Sequence, residues 1–330
     1  MTPPTDCASE FTAATFAAAG PMPMHQTDSM RARSPVAMIA ADISRLTRPR
    51  IAVMVLATVV ASMWLTAGRG VGGPALFWLL MGTTLVAASS SIANQILERN
   101  ADRLMPRTAR RPIAAGRLSV PAATMLATLL VAAGGLMITL SSGWQPAAAA
   151  VATWMLYVVV YTPMKMRSPL NTAVGAVSGA MPVAIGWLAA DGPQRLAAGD
   201  AAGALAVAAL GTVLYLWQFP HFMAIAWLYR SQYAAAGMRM LTVDDPSGLR
   251  AAGQSLAASL AMVPVSLVLA VPSGSIPLFL AAATASLVYA VATVGFAVRR
   301  DDASARTLLF TSLGSLLALL TASVVFGPPT

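Results

Sequence analysis

The sequence predicts an all-α polytopic membrane protein, a bundle of about nine transmembrane helices around a central cavity open to the cytoplasmic side. Composition is the first reason: 57% of the 330 residues are hydrophobic and only 10% are charged, with a mean hydropathy of +0.70, far more apolar than a soluble domain of this length. The second is that apolar stretches of bilayer-spanning length recur at 51–67, 75–96, 119–141, 146–161, 171–190, 203–228, 251–272, 275–297 and 307–326. The third is charge placement. With a cytoplasmic N-terminus, all 21 Lys and Arg residues except Arg69 and Arg195 fall on the inner side, the asymmetry that orients membrane proteins. The net charge of +9 therefore follows from topology, and no nucleic-acid partner is expected.

Residues 1–40 mix Pro, Ser, Thr, Ala and Met without a period and read as a disordered extension. Residues 41–330 read as a single transmembrane domain, and no soluble second domain is expected. Cys7 is the lone cysteine, so no intrachain disulfide can form and helix packing must hold the fold. No basic region followed by an uninterrupted apolar core precedes the first span, so a cleaved signal peptide is not expected.

The second span runs into NQILERNADRLMPRTARRP, residues 94–112. Asn94, Glu98 and Asp102 stand at i, i+4 and i+8 and share one helix face at the inner membrane edge. Arg99, Arg103 and Arg107 form a basic stripe on the neighbouring face. The fifth span carries Gly175, Gly179 and Gly186 with Ala176, Ala180 and Ala184, small residues that let helices approach closely in lipid. Pro182 in this span and Pro220 in the sixth are expected to kink their helices, which either frees carbonyls for a cavity or merely bends the chain. Long inner loops follow the second and sixth spans (97–118 and 229–250) and are expected to cap one cavity from two sides, although the halves are too dissimilar to be a repeat.

The acidic stripe suits Mg²⁺, which takes oxygen ligands from one or two carboxylates plus substrate phosphates. Zinc is disfavoured, because the only histidines are His25 and His221. Arg107, Arg110, Arg111 and Lys165 are candidates to hold a diphosphate. A solvated helix end flanked by inner-side arginines is the plainer account of the same residues. In the sixth span WQFPHF holds Trp217, Gln218, Pro220 and His221. An intramembrane histidine serves hydrogen bonding, ligation of a haem iron, or the backbone opened by the proline. Tyr161, Tyr215, Trp217 and Phe219 offer ring faces to an allylic cation, or form an interfacial aromatic belt.

These motifs resemble the UbiA-type intramembrane prenyltransferases, in particular their haem-farnesylating branch. NQILERNADRLMPRTARRP is similar to the family's first acidic motif, and LTRPRI at 46–51 to the lead-in of its first helix. YTPMKMRSPLNTAVGAVSGAMPVAIGW at 161–187 and WQFPHFMAIAWLYR followed by QYAAAGMRML resemble later blocks, so the resemblance runs from about residue 46 to 245. It implies Mg²⁺-dependent transfer of a farnesyl group from farnesyl diphosphate to a vinyl group of haem B, with water added, releasing diphosphate. It further implies that Asn94, Glu98 and Asp102 are catalytic through the metal they hold, with Arg107, Arg111, Lys165 and Arg167 near the diphosphate. His221 becomes a haem contact, and Tyr161, Trp217, Gln218 and Tyr233 further substrate contacts. A cell (inner, plasma) membrane location follows, with the C-terminus outside and with haem A synthase or terminal-oxidase assembly as partners. Glu98 and Gln232 depart from the family, which usually shows Asp at both places; Asp244 and Asp245 stand near enough in sequence to compensate, though a solvated turn before Pro246 is the plainer role. Three rival readings remain: a prenyltransferase with another acceptor such as a quinone precursor, a non-catalytic haem-handling membrane protein or transporter, and an inactive relative.

Overall fold

The computed structural model describes residues 35–68 and 72–327. Met1–Ala40 and Ala41–Thr330 form separate compact units; of the first, only the helical residues from 35 onward are described. The extension expected at 1–40, with Cys7 and His25, thus lies almost wholly outside the described residues, as does Arg69.

The chain is all-helical among the described residues. In order come α1 (Pro35–Thr47), α2 (Pro49–Ala67), α3 (Pro74–Leu104), α4 (Val120–Ser142), α5 (Trp144–Met155), a π-helical stretch (Leu156–Tyr161), α6 (Thr162–Met164), α7 (Asn171–Ala180), α8 (Pro182–Ala189) and α9 (Gly192–Ala197). Then follow α10 (Ala201–Leu228), α11 (Arg230–Ala235), α12 (Leu241–Asp244), α13 (Leu249–Val268), α14 (Ile276–Arg299) and α15 (Asp302–Phe326). Nine helical segments among the described residues are long and apolar enough to cross a membrane, each within a few residues of an expected span apart from the C-terminal end of α3.

Local chemistry sets the helix ends. Pro49, Pro74 and Pro182 stand in the first turns of α2, α3 and α8, where a missing N–H costs nothing. Asp200 caps α10 by accepting from the Gly203 amide at 2.9 Å, and Asp301 and Ser304 close a capping box on α15. At Gly143 (φ 92°) the backbone reverses between α4 and α5, a conformation that favours glycine.

Two of the spans are not continuous α-helices, the second of them at the expected Pro182. The fourth span is not a continuous α-helix: Pro163 has no N–H to donate, the Thr162 amide reaches back five residues to the Tyr157 carbonyl, and the backbone widens into a π-helix. The fifth span divides at Met181 into α7 and α8, Pro182 having broken the helix, whereas Pro220 stays inside α10.

Packing relies on close approach, since lipid supplies no hydrophobic drive between helices. A Cβ on Gly82 of α3 would stand 2.7 Å from the Gly134 carbonyl oxygen of α4, and one on Gly134 would stand 2.6 Å from the Gly82 oxygen. Helix α10 is the central element, packing on α2, α7, α13 and α15, and its Trp217 lies in a core with Tyr289 and Phe296 of α14.

Candidate functional site

Helix α3 has 31 residues and at 1.5 Å per residue is about 46 Å long, more than the ~30 Å of a hydrocarbon layer. Its last turns therefore carry polar residues. Asn94, Glu98 and Asp102 point to one side and are buried.

Each is held by residues folded back from elsewhere. The Thr108 hydroxyl donates to the Asp102 carbonyl at 3.1 Å, turning the loop after α3 so that Arg111 returns to the helix. Arg111 Nη1 sits between the two Asp102 oxygens at 2.7 and 2.6 Å and lies 3.7 Å from Glu98 Oε2. Lys165, just past the π-helix, donates to Glu98 Oε1 at 2.7 Å, and its ammonium stands 4.5 Å from the centre of the Tyr161 ring. Asn94 donates to the Thr162 hydroxyl at 3.1 Å and accepts a long bond from Arg48 at 3.5 Å.

These groups form one end of a cavity of about 370 Å³. Its polar end is lined by Arg48, Glu98, Asp102, Arg107, Arg111 and Lys165, and its body by residues such as Ile51, Val86, Ile185 and Phe222. Four cations meet two carboxylates. Burial and the nearby Arg48 charge push the Arg111 guanidinium below its ordinary value, as a site short of negative charge should.

The long loops that follow α3 and α10 meet over this end, as their lengths suggested. Arg107 reaches the Tyr233 hydroxyl at 3.4 Å and lies over the Tyr229 ring at 4.7 Å, while the Arg239 amide donates to the Lys165 carbonyl at 2.7 Å. Glu98, Asp102, Arg107, Arg111, Tyr161, Lys165, Gln218 and Tyr233 all line the cavity, with Asn94 buried in contact with Arg48.

Four candidates lie elsewhere. Arg167 is exposed in the turn after α6 and is not among the lining residues. Trp217 and His221 face away: Trp217 Nε1 donates to the Ser312 carbonyl at 2.8 Å, His221 Nδ1 lies 2.7 Å from Ser312 Oγ, and their rings stack at 4.6 Å. They tie α10 to α15. Arg110 is exposed too.

Gln232 is half-buried beside Tyr233, and its Oε1 has no hydrogen-bond partner. Asp244 and Asp245 do not reach the site: Asp244 pairs with Arg239 at 3.2 Å, and Asp245 accepts from the Arg250 amide at 2.8 Å. Among the described residues no group of three or more His, Cys, Asp or Glu is arranged to hold a metal. The donor set is two carboxylates and one amide.

Sequence reasoning missed Arg48 and Tyr157, both on the cavity wall. Arg48 sits at φ 48°, ψ 62° between α1 and α2, a left-handed conformation uncommon for any residue but glycine and found often at functional sites. Its signal was the Thr-Arg-Pro-Arg run at 47–50.

Residues 55–318 match the profile of the UbiA prenyltransferase family. The chain is 42% identical over 283 residues to a protoheme IX farnesyltransferase of Rhodopirellula baltica, covering 83% of this chain and 96% of the relative. It is 37% identical over 296 residues to one of Opitutus terrae, covering 86% and 94%. Among solved structures, a digeranylgeranylglyceryl phosphate synthase superposes with a TM-score of 0.71 at 12% identity, over 87% of this chain and 98% of that one. A UbiA homologue from Archaeoglobus fulgidus bound to GPP and Mg²⁺ does so with a TM-score of 0.60 at 16% identity, over 86% and 100%. At such identities the structural likeness concerns the fold alone.

Proposed function

Because this chain belongs to the UbiA prenyltransferase family, we propose that it transfers a farnesyl group from farnesyl diphosphate to a vinyl group of haem B, with water adding to the cation left on that group to give a hydroxyethylfarnesyl side chain, releasing diphosphate and a proton. One observation carries the reading: two buried carboxylates ringed by Arg48, Arg107, Arg111 and Lys165 at the polar end of an otherwise apolar cavity. The relatives named as protoheme IX farnesyltransferases support the choice of acceptor.

The chemistry requires an allylic C–O bond to break with its electron pair leaving on diphosphate. Arg48, Arg107, Arg111 and Lys165 are arranged to meet that charge as it develops, which lowers the barrier more than binding the ground state would. The apolar wall keeps water from the hydrocarbon side, and the Tyr157 and Tyr161 rings, 5.3 Å apart, present π-faces to positive charge. The donors fit Mg²⁺: hard oxygens of Glu98 and Asp102, with the Asn94 amide, suit an ion that completes its shell with water and substrate phosphate. When bound, that ion supplies Lewis-acid neutralisation of the diphosphate.

The protein is a multi-pass membrane protein. The basic residues flanking α3, α6 and α11 support a plasma-membrane orientation with the N-terminus cytoplasmic and the C-terminus outside. Contact with haem A synthase or with oxidase assembly remains part of the same proposal.

A second reading, an aromatic acceptor other than haem, is favoured by the position of Trp217 and His221, which stand off the cavity wall. One experiment separates the readings. Purified protein given farnesyl diphosphate, Mg²⁺ and haem B should release diphosphate and yield farnesylated haem by mass spectrometry, and Asp102→Ala should reduce product by at least about 100-fold at unchanged membrane content. Near-normal product from Asp102→Ala removes the site assignment. No haem product, with diphosphate released only when a quinone precursor replaces haem B and takes the farnesyl group, favours the second reading.

A further inference from the structure

We propose that Lys165 and Arg111 are internal counter-ions which occupy the metal-binding carboxylates until diphosphate draws them off, so that divalent metal and diphosphate bind as a cooperative pair. This rests on the reading that Glu98 and Asp102 hold a divalent cation.

Two buried carboxylates on successive turns of one helix cannot stand bare, because desolvation of each charge is costly without a partner. The chain provides the partners itself. Arg111 Nη1 touches both Asp102 oxygens and approaches Glu98, and so fills the space between the two acids where an ion would sit. Lys165 Nζ takes Glu98 Oε1. A metal arriving alone must displace a buried guanidinium or ammonium and leave it uncompensated beside Arg48.

Diphosphate removes that obstacle. Its oxygens accept both cations, Arg through a planar fork and Lys as a point charge, and the vacated carboxylates face the ion. The surroundings suit a side-chain exchange on a fixed frame. The Lys165 carbonyl is held by the Arg239 amide at 2.7 Å, the Thr108 hydroxyl anchors the loop that carries Arg111, and the Tyr161 ring keeps a face beneath the Lys165 ammonium as it moves. Arg107 differs. Its partners are Tyr233 and Tyr229, with no carboxylate among them, so it serves diphosphate without guarding the metal donors.

Mn²⁺ retained by full-length protein in detergent, measured by equilibrium dialysis so that Mn²⁺ chelated by pyrophosphate in solution is not counted, tests this. Wild type should bind Mn²⁺ weakly alone and at least about tenfold more tightly with inorganic pyrophosphate, and pyrophosphate affinity should rise by the same factor with Mn²⁺. Lys165→Gln and Arg111→Gln should bind Mn²⁺ alone about tenfold more tightly than wild type, while Arg107→Gln should not. Should either Gln variant fail to fold, Arg111→Lys carries the test: it keeps the charge but holds Asp102 less firmly, so its Mn²⁺ affinity should fall between wild type and the tight limit. If Lys165→Gln and Arg111→Gln bind Mn²⁺ no better than Arg107→Gln, or Arg111→Lys matches wild type, the counter-ion role is overturned. Absence of Mn²⁺ binding in every protein, with or without pyrophosphate, overturns instead the metal reading on which it rests.

Discussion

Gly175→Ala should disable the site from a distance of one aromatic ring. A Cβ at Gly175 on α7 would stand 2.6 Å from Tyr161 Cε2 and 3.0 Å from Cδ2, and ordinary contact begins at 3.4 Å. The ring must therefore retreat by about 0.8 Å. Tyr157 packs beside the ring, so the retreat is towards the cavity that Tyr161 lines. Overpacking of this kind costs about 1–3 kcal/mol of stability. The ring also lies beneath the Lys165 ammonium, whose other contact is Glu98, so the displacement passes to the charged end of the cavity. A misplacement near 1 Å can cost ~100-fold in rate. Thermal unfolding in detergent and haem farnesylation by the purified variant measure the two effects separately. Adding Tyr161→Leu should relieve the clash and recover much of the lost stability, while activity stays low because the ring face is gone. A Gly175→Ala protein that melts and turns over like wild type would refute the reasoning.

Further perturbations test the packing and the Asp42–Arg117 ion pair. Gly134→Ala, whose Cβ would meet the Gly82 carbonyl oxygen at 2.6 Å, should lower stability by about 1–3 kcal/mol, whereas Gly314→Ala on α15, with nothing within 4 Å, should be neutral or stabilise by up to ~1 kcal/mol; thermal melts of the pair should differ in sign. Arg117 grips Asp42 through two bonds of 2.7 Å and holds its carboxyl below the usual range. A lowered folded-state value means this contribution is present above the unfolded value of about 3.9 and is lost as pH falls through the folded one. Protection factors at residues 43–47, with the intrinsic pH dependence of amide exchange divided out, should fall below about pH 4 and hardly change between pH 8 and 5, and Asp42→Asn should abolish that dependence.

Hydropathy made the spanning helices legible because lipid requires about twenty apolar residues per crossing and satisfied backbone throughout. The acidic stripe was legible because four-residue steps stay on one helix face. What could not be read was which cation each acid would meet. Arg111 was one arginine among many, and only the turn closed by Thr108 returns it to Asp102. The π-helix was hidden as well, since LYVVVY is as apolar as any α-helix and Pro163 was its one mark. The rule that an intramembrane histidine is functional pointed His221 towards the substrate, and helix phase overrode it. Gln218 and Phe222 line the cavity, and Trp217 and His221 each precede them by one residue, about 100° around α10, which turns them to Ser312.

The widened turn at Leu156–Tyr161 amounts to one surplus residue inside a membrane crossing. Because the wider turn absorbs that residue, deleting any one of the six and letting the backbone relax into a regular spiral would leave the two flanks in phase. Rewinding the same six residues as ordinary α-helix would instead rotate everything beyond them by about 100° and carry Lys165 off Glu98. Residue count and winding are therefore tied in this stretch: lineages that keep the activity but lose the widened turn should have lost one residue with it.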